Sequence, residues 1–163
     1  MLTIRKATIQ DLRAITEIYN QAVLHTTATF DTATKTVEEQ RVWYDKHGAK
    51  YPILVAQEEK YVIGWASMTA WSDRCAYAAT AEASLYIREG QQGKGVGRKL
   101  SVAILKAAKE AGLHTAIARI AEGNDVSISL AKSLGFKPIG VMKEVGKKFG
   151  KLLDVYMMQI IFD

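Results

Sequence analysis

Apolar positions in this chain repeat with two periods. Leu12, Ile15, Ile18, Tyr19, Ala22 and Val23 recur at helical spacing. Thr8-Ile9-Gln10-Asp11 precedes them with the spacing of a capping box. A second box, Thr36-Val37-Glu38-Glu39, opens a helix that ends near Gly48. Val96, Leu100, Ala103, Ile104, Ala107 and Ala111 form a third helical stripe stopped by Gly112, and Asn124 caps a fourth, with Val126, Leu130 and Leu134, stopped by Gly135. Extended segments are predicted at 2–7, 53–56, 61–71, 77–87, 115–121, 136–145 and 152–162. Gly64 inside the third marks a bulge or a close approach. Residues 25–35 are rich in threonine and read as a loop.

The order is β, α, α, β, β, β, α, β, α, β, β. It predicts a mixed α/β domain whose helices pack on a central, largely antiparallel sheet. With no repeat, linker or low-complexity stretch, residues 1–163 read as one domain.

Composition narrows the classes. The chain has 163 residues, 48% hydrophobic and 24% charged, as a globular domain does. No apolar run approaches the roughly 20 residues of a membrane helix, and Met1 to Lys6 contains no signal-like stretch. One cysteine, Cys75, excludes an intrachain disulfide and a thiolate zinc site, and a reducing, cytoplasmic setting is expected. His25, His47 and His114 lack metal-ligand spacing, so no metal is expected. The net charge of +5 favours an anionic partner. Lys and Arg are scattered rather than striped, apart from Lys94, Arg98, Lys99 and from Lys143, Lys147, Lys148, Lys151, so nucleic acid is not the expected partner.

The first cluster lies in Gln92-Gly93-Lys94-Gly95-Val96-Gly97-Arg98, between a strand and a helix. Glycines there permit positive φ and close approach, and the helix start offers free N–H groups and a positive dipole end. The loop therefore suits a phosphate or pyrophosphate. Its G-x-G-x-G spacing differs from the dinucleotide fingerprint. No Ser or Thr follows Gly93-Lys94, as a P-loop would require.

Gln92-x-x-Gly95-x-Gly97 resembles the acetyl-CoA pyrophosphate signature of the GCN5-related N-acetyltransferases. The resemblance covers nearly the whole chain. It extends to the branch acting on phosphinothricin, methionine sulfoximine and methionine sulfone, through 15–20, Arg74-x-x-Tyr77-x-x-Thr80-x-Glu82, Gly123-Asn124-Asp125-x-Ser127, and Gly146-x-Lys148-Phe149-Gly150 with Asp154. It implies an α/β fold with a mostly antiparallel mixed sheet of about six to seven strands flanked by about four helices. It implies acetyl-CoA as cofactor, a small-molecule amine as substrate, and a homodimer.

By the same resemblance, the backbone of Leu85, Tyr86 and Ile87 pairs with the pantetheine arm. Gln92, Gly93, Lys94, Gly95, Val96, Gly97 and Arg98 hold the pyrophosphate, and Asn124 and Ser127 lie near the cofactor. Glu82 is the implied base, acting through water; a carboxylate in that apolar strand is costly unless partnered. Arg74 is implied for a substrate carboxylate, a role its bidentate fork suits. Phe30, Tyr77, Lys148 and Phe149 are implied at the substrate pocket. Where many relatives have a tyrosine on the helix after Asn124, this chain has Ala131. Other readings stay open from sequence: the same fold acting on a polyamine or a protein N-terminus, or a non-catalytic CoA-binding sensor.

Overall fold

The computed structural model describes residues 1–163. The chain runs through β1 (Leu2–Lys6), a 3₁₀ turn (Ile9–Asp11), α1 (Leu12–His25), α2 (Val37–Asp45), β2 (Ile53–Glu58) and β3 (Tyr61–Ala70). After a 3₁₀ turn at Cys75–Tyr77 come β4 (Thr80–Ile87), α3 (Val96–Glu110), β5 (Thr115–Ala121), α4 (Asp125–Ser133), β6 (Lys137–Lys148) and β7 (Lys151–Ile161). All seven strands and four helices expected from the pattern are present.

The local signals act as read. Asp11 accepts the Thr8 N–H at 2.7 Å and is also gripped by Arg5 through two bonds of 2.8 Å. Thr36 accepts the Glu39 N–H at 3.1 Å, and Asn124 accepts the Ser127 N–H at 3.3 Å.

Some boundaries move. The extended segment expected from Tyr77 begins at Thr80, because residues 75–77 close a turn after Arg74. The helix expected to reach Gly48 is regular only to Asp45. The last two strands form a longer hairpin than expected, turning at Phe149-Gly150, where both residues have positive φ.

The sheet order is β1-β2-β3-β4-β5-β7-β6, and every pairing is antiparallel except β4 with β5. One face packs on α1 and α2 through Ile15, Ile18, Ile53, Val55 and Trp65; the other packs on α3 and α4 through Met68, Leu100, Ile104, Ala131 and Phe136. Gly64 serves both expected purposes. The β2–β3 register slips opposite it, and a Cβ there would come within 2.8 Å of Ile87 Cδ1.

The parallel pair decides where the site lies. It is registered only over Thr80↔Thr115, Ala81↔Ala116 and Glu82↔Ile117. Beyond that point the strands part, so the main chain of residues 83–87 on that side faces open space. A strand edge of this kind keeps unsatisfied N–H and C=O groups ready for an extended partner.

Candidate active site

The gap between β4 and β5 opens into a cleft of about 500 Å³. Its walls come from β4 (Glu82 to Tyr86), β5 (Ala118 to Ala121), α4 (Ser127, Leu130, Ala131), the loop after α1 (Thr27 to Phe30) and the β6–β7 hairpin (Met142, Val145, Val155). Most of the lining is apolar. Glu82 and Arg119 are the only charged side chains in it.

These two charges are paired. Arg119 donates from Nε and Nη2 to the two Glu82 carboxylate oxygens, at 2.6 and 2.7 Å. The guanidinium also lies over the Trp71 ring, 5.5 Å from its centroid. The carboxylate holds the Arg119 pKa above its ordinary value. Arg119 thus supplies the partner that a carboxylate in strand β4 requires.

The expected cofactor residues divide into two places. Leu85, Tyr86, Asn124 and Ser127 line the cleft, whereas Ile87 packs toward Gly64 at the far end of β4. Gln92 through Arg98 form its outer rim at the start of α3. Gly95 is the N-cap with φ +83° and provides no side-chain cap. α2 and α4, by contrast, are capped by Thr36 and Asn124. The first N–H groups of α3 are therefore left for an anion, with no acidic residue in the first turn. Val96 is buried, so only its main chain faces the rim. Arg98 is held by a 2.8 Å bond to Ser133 Oγ on α4. Gln92 reaches the Ile87 carbonyl at 3.4 Å, and Lys94 bonds Gln91 at 3.2 Å. An uncapped helix start beside a free strand edge fits an elongated ligand with a phosphate at one end.

The expected substrate residues do not all gather. Phe30 enters the cleft with its ring against Gly146, where a Cβ would lie 2.2 Å from Phe30 Cε2. Lys148 is buried and spends its charge on the Thr29 carbonyl at 2.7 Å, and burial lowers its pKa. Tyr19 donates to Asp31 and bonds Thr29 Oγ1 at 2.8 Å, so Lys148 and Tyr19 together seat the loop that carries Phe30. Burial and the bond to Asp31 raise the Tyr19 pKa, and burial raises that of Tyr86, so both phenols stay protonated. Arg74 and Tyr77 lie on the exposed turn before β4, outside the cleft of their own chain. Phe149 sits at the hairpin tip, 63% exposed. None of these three lines the cleft of its own chain.

The hairpin wall is shaped by Asp154. Three residues of β6, 143–145, bulge between the pairs Met142↔Val155 and Gly146↔Leu153. Asp154 accepts the Glu144 N–H at 2.8 Å and Lys143 Nζ at 2.8 Å, while its own N–H donates to Glu122 at 2.7 Å. The bulge turns Val145 into the cleft. Sequence reasoning missed Arg119, Trp71, the Gly146 contact and this bulge. Arg119 carried one signal, as the single charge in the strand Thr115–Ala121. No three His, Cys, Asp or Glu side chains are grouped to hold a metal.

Residues 4–157 match the family described as acetyltransferase (GNAT) domain. This chain belongs to that family. It is 41% identical over 163 residues to an L-methionine sulfoximine/L-methionine sulfone acetyltransferase of Salmonella typhimurium, covering 99% of this chain and 95% of the relative. The solved structure of yncA from Salmonella typhimurium, with its cofactor acetyl-CoA, superposes with a TM-score of 0.97 at 41% identity, covering 100% of this chain and 95% of that one. A phosphinothricin acetyltransferase from Sinorhizobium meliloti in complex with acetyl-CoA superposes with a TM-score of 0.95 at 36% identity, covering 99% and 88%.

Proposed function

We propose that this acetyltransferase is one domain, residues 1–163, and transfers an acetyl group from acetyl-CoA to the amine of a small amino acid or analogue. The amine is of the phosphinothricin, methionine sulfoximine or methionine sulfone type. The observation that carries the reading is the cleft where β4 leaves β5, with Glu82 on its wall and the uncapped start of α3 at its rim.

Acetyl-CoA, when bound, supplies the acetyl group as an activated thioester. The main chain of Leu85, Tyr86 and Ile87 offers it a strand edge. Gln92 through Arg98 offer N–H groups and positive charge, and Asn124 and Ser127 face it from α4. Phe30 and the hairpin wall close around the acceptor. An α-ammonium titrates near 8, so most of it is protonated at neutral pH. Glu82 removes that proton through a water, which frees the nitrogen lone pair for direct attack. Leu130 and Ala131 line the α4 wall and no tyrosine stands on that helix, so proton return to the leaving side is left to solvent.

The exposed apolar residues Ile139, Val141, Leu152 and Phe149 on the β6–β7 hairpin support a homodimer, and the resemblance gives Arg74 and Tyr77 to the acceptor. One exposed free Cys75 is in keeping with a reducing cytoplasm.

The test is thiol release from acetyl-CoA with methionine sulfone, methionine sulfoximine, phosphinothricin, spermidine and a short peptide as acceptors. Turnover is expected on the first three. Glu82→Gln is expected to lower kcat by about 10²- to 10⁴-fold while acetyl-CoA still binds. Acetyl-CoA binding without turnover on any acceptor overturns the substrate assignment in favour of a sensor role, and preferred turnover of spermidine or peptide replaces it.

A further inference from the structure

We propose that Arg119 is a positioning residue for the reaction: it holds the Glu82 carboxylate in the orientation from which the base works. The proposal rests on the base role given to Glu82 above, and it concerns a residue that the family resemblance does not mark.

Arg119 stands on β5 two residues past Ile117, the last residue paired with β4. Its side chain reaches across the opening fork, and Nε and Nη2 donate to the two Glu82 oxygens at 2.6 and 2.7 Å. No other group of the chain bonds that carboxylate. Thr69, its cross-strand neighbour on β3, is engaged with His47 at 3.2 Å. Without Arg119, Glu82 has no partner to select among its rotamers. A two-point contact fixes the plane of the carboxylate as well as its distance. A carboxylate has about four lone-pair sites and the fork takes two of them, so one on each oxygen stays open to water. The base is oriented without being consumed.

Arg119 is itself oriented. The Trp71 ring lies over its guanidinium, 5.5 Å away at the centroid. Trp71 follows β3 directly, and its N–H donates to the Thr80 carbonyl at 3.2 Å, which closes the base of the segment between β3 and β4. That segment carries Arg74 and Tyr77, which the resemblance gives to the acceptor. Trp71, Arg119 and Glu82 thus tie the base to the segment that meets the acceptor. Stability does not account for the pair. The Arg119 side chain is 48% exposed and that of Glu82 24%, and ion pairs so open to water add little to folding.

The pairing also sets what the acceptor meets. A lone carboxylate would hold the acceptor's ammonium as an ion pair, in the protonated form that cannot attack. Arg119 cancels much of that charge, so the ground state is not deepened before the proton leaves. Loss of Arg119 therefore lowers kcat without raising KM for the acceptor.

The experiment measures kcat and KM for methionine sulfone in wild type, Arg119→Gln, Arg119→Lys, Glu82→Gln and the double variant of Glu82→Gln with Arg119→Gln. Arg119→Gln is expected to lower kcat by about 10- to 100-fold, the loss that follows a misplaced reacting group, with KM level or lower. Arg119→Lys returns the charge but not the fork, and is expected to recover part of kcat. Added to Glu82→Gln, Arg119→Gln is expected to cost no more than about twofold further, because the group it positions is gone. Acetyl-CoA affinity and the unfolding temperature are expected to stay near their wild-type values. A kcat for Arg119→Gln within about threefold of wild type overturns the assignment. So does a loss expressed mainly as higher KM, which makes Arg119 an acceptor contact. Equal losses with and without Glu82, or a loss of acetyl-CoA affinity, overturn it as well, since Arg119 then supports the fork and not the base. Each of these leaves the acetyltransferase reading in place. A Glu82→Gln variant with wild-type kcat, or a wild type without turnover, fails at the earlier step and removes both.

Discussion

Of the chain's glycines, Gly146 has the least room for a side chain, because the Phe30 ring lies against it. Replacing Gly146 with alanine puts a methyl group 2.2 Å from Cε2, 2.5 Å from Cδ2 and 3.0 Å from Cζ of the ring. Gly146 is not among the glycines with positive φ, so alanine carries no backbone penalty and the effect is steric. Two responses are open. The ring stays and the hairpin shifts, at the roughly 1–3 kcal/mol usual for overpacking. Alternatively the ring leaves. Phe30 is 36% exposed, so about two-thirds of a full burial gain is lost, or about 1–2 kcal/mol. The cheaper route sets the cost at about 1–2 kcal/mol, which lowers Tm by about 2–8 °C in a chain of this size. Either response moves the acceptor wall, so KM for the amino acid rises while acetyl-CoA affinity holds. Thermal unfolding and steady-state kinetics measure both. The double variant Phe30→Ala, Gly146→Ala removes the clash and is less destabilised than the sum of the singles. Additive losses in the double variant, or an unchanged acceptor KM in Gly146→Ala, refute the reasoning.

Two more expectations concern groups away from the reacting atoms. His47 is buried, with Nδ1–H donating to the Trp43 carbonyl at 2.7 Å and Nε2 accepting from Thr69 at 3.2 Å. Burial lowers its pKa, so the unfolded chain binds the proton more readily. Stability is then level above about pH 7 and falls as pH drops through the ordinary histidine range near 6.5, by no more than about 1.4 kcal/mol per pH unit. Urea midpoints between pH 5 and 8 show this slope in wild type, and its persistence in His47→Gln disproves the assignment. Asp154→Ala frees the Glu144 amide and Lys143, so hydrogen exchange at Glu144 accelerates and acceptor KM rises; an unchanged exchange rate shows that the bulge holds without Asp154.

Local features of the sequence were enough to find the elements. The Thr8 box, the Thr36 and Asn124 caps and the stops at Gly112 and Gly135 act within a few residues and formed the predicted ends, whereas the helix read as far as Gly48 stops at Asp45. The glycine loop was legible for the same reason. Its positive φ and uncapped helix start follow from Gly93, Gly95 and the absence of a capping side chain. Glu82 was legible as a problem, a carboxylate in an apolar strand, but its solution was not. Arg119 stands 37 residues away and reaches Glu82 only because β4 and β5 pair in parallel and then part. Phe30 meets Gly146, and Lys148 meets Thr29, from more than 100 residues apart in the chain. Arg74 and Tyr77, close to Glu82 in sequence, lie on the exposed turn before Thr80 and do not line its cleft. Period and capping depend on neighbours along the chain and are fixed by the sequence itself. Which charge neutralises which, and which rings enclose the acceptor, depends on strand order and register, and only tertiary packing decides those.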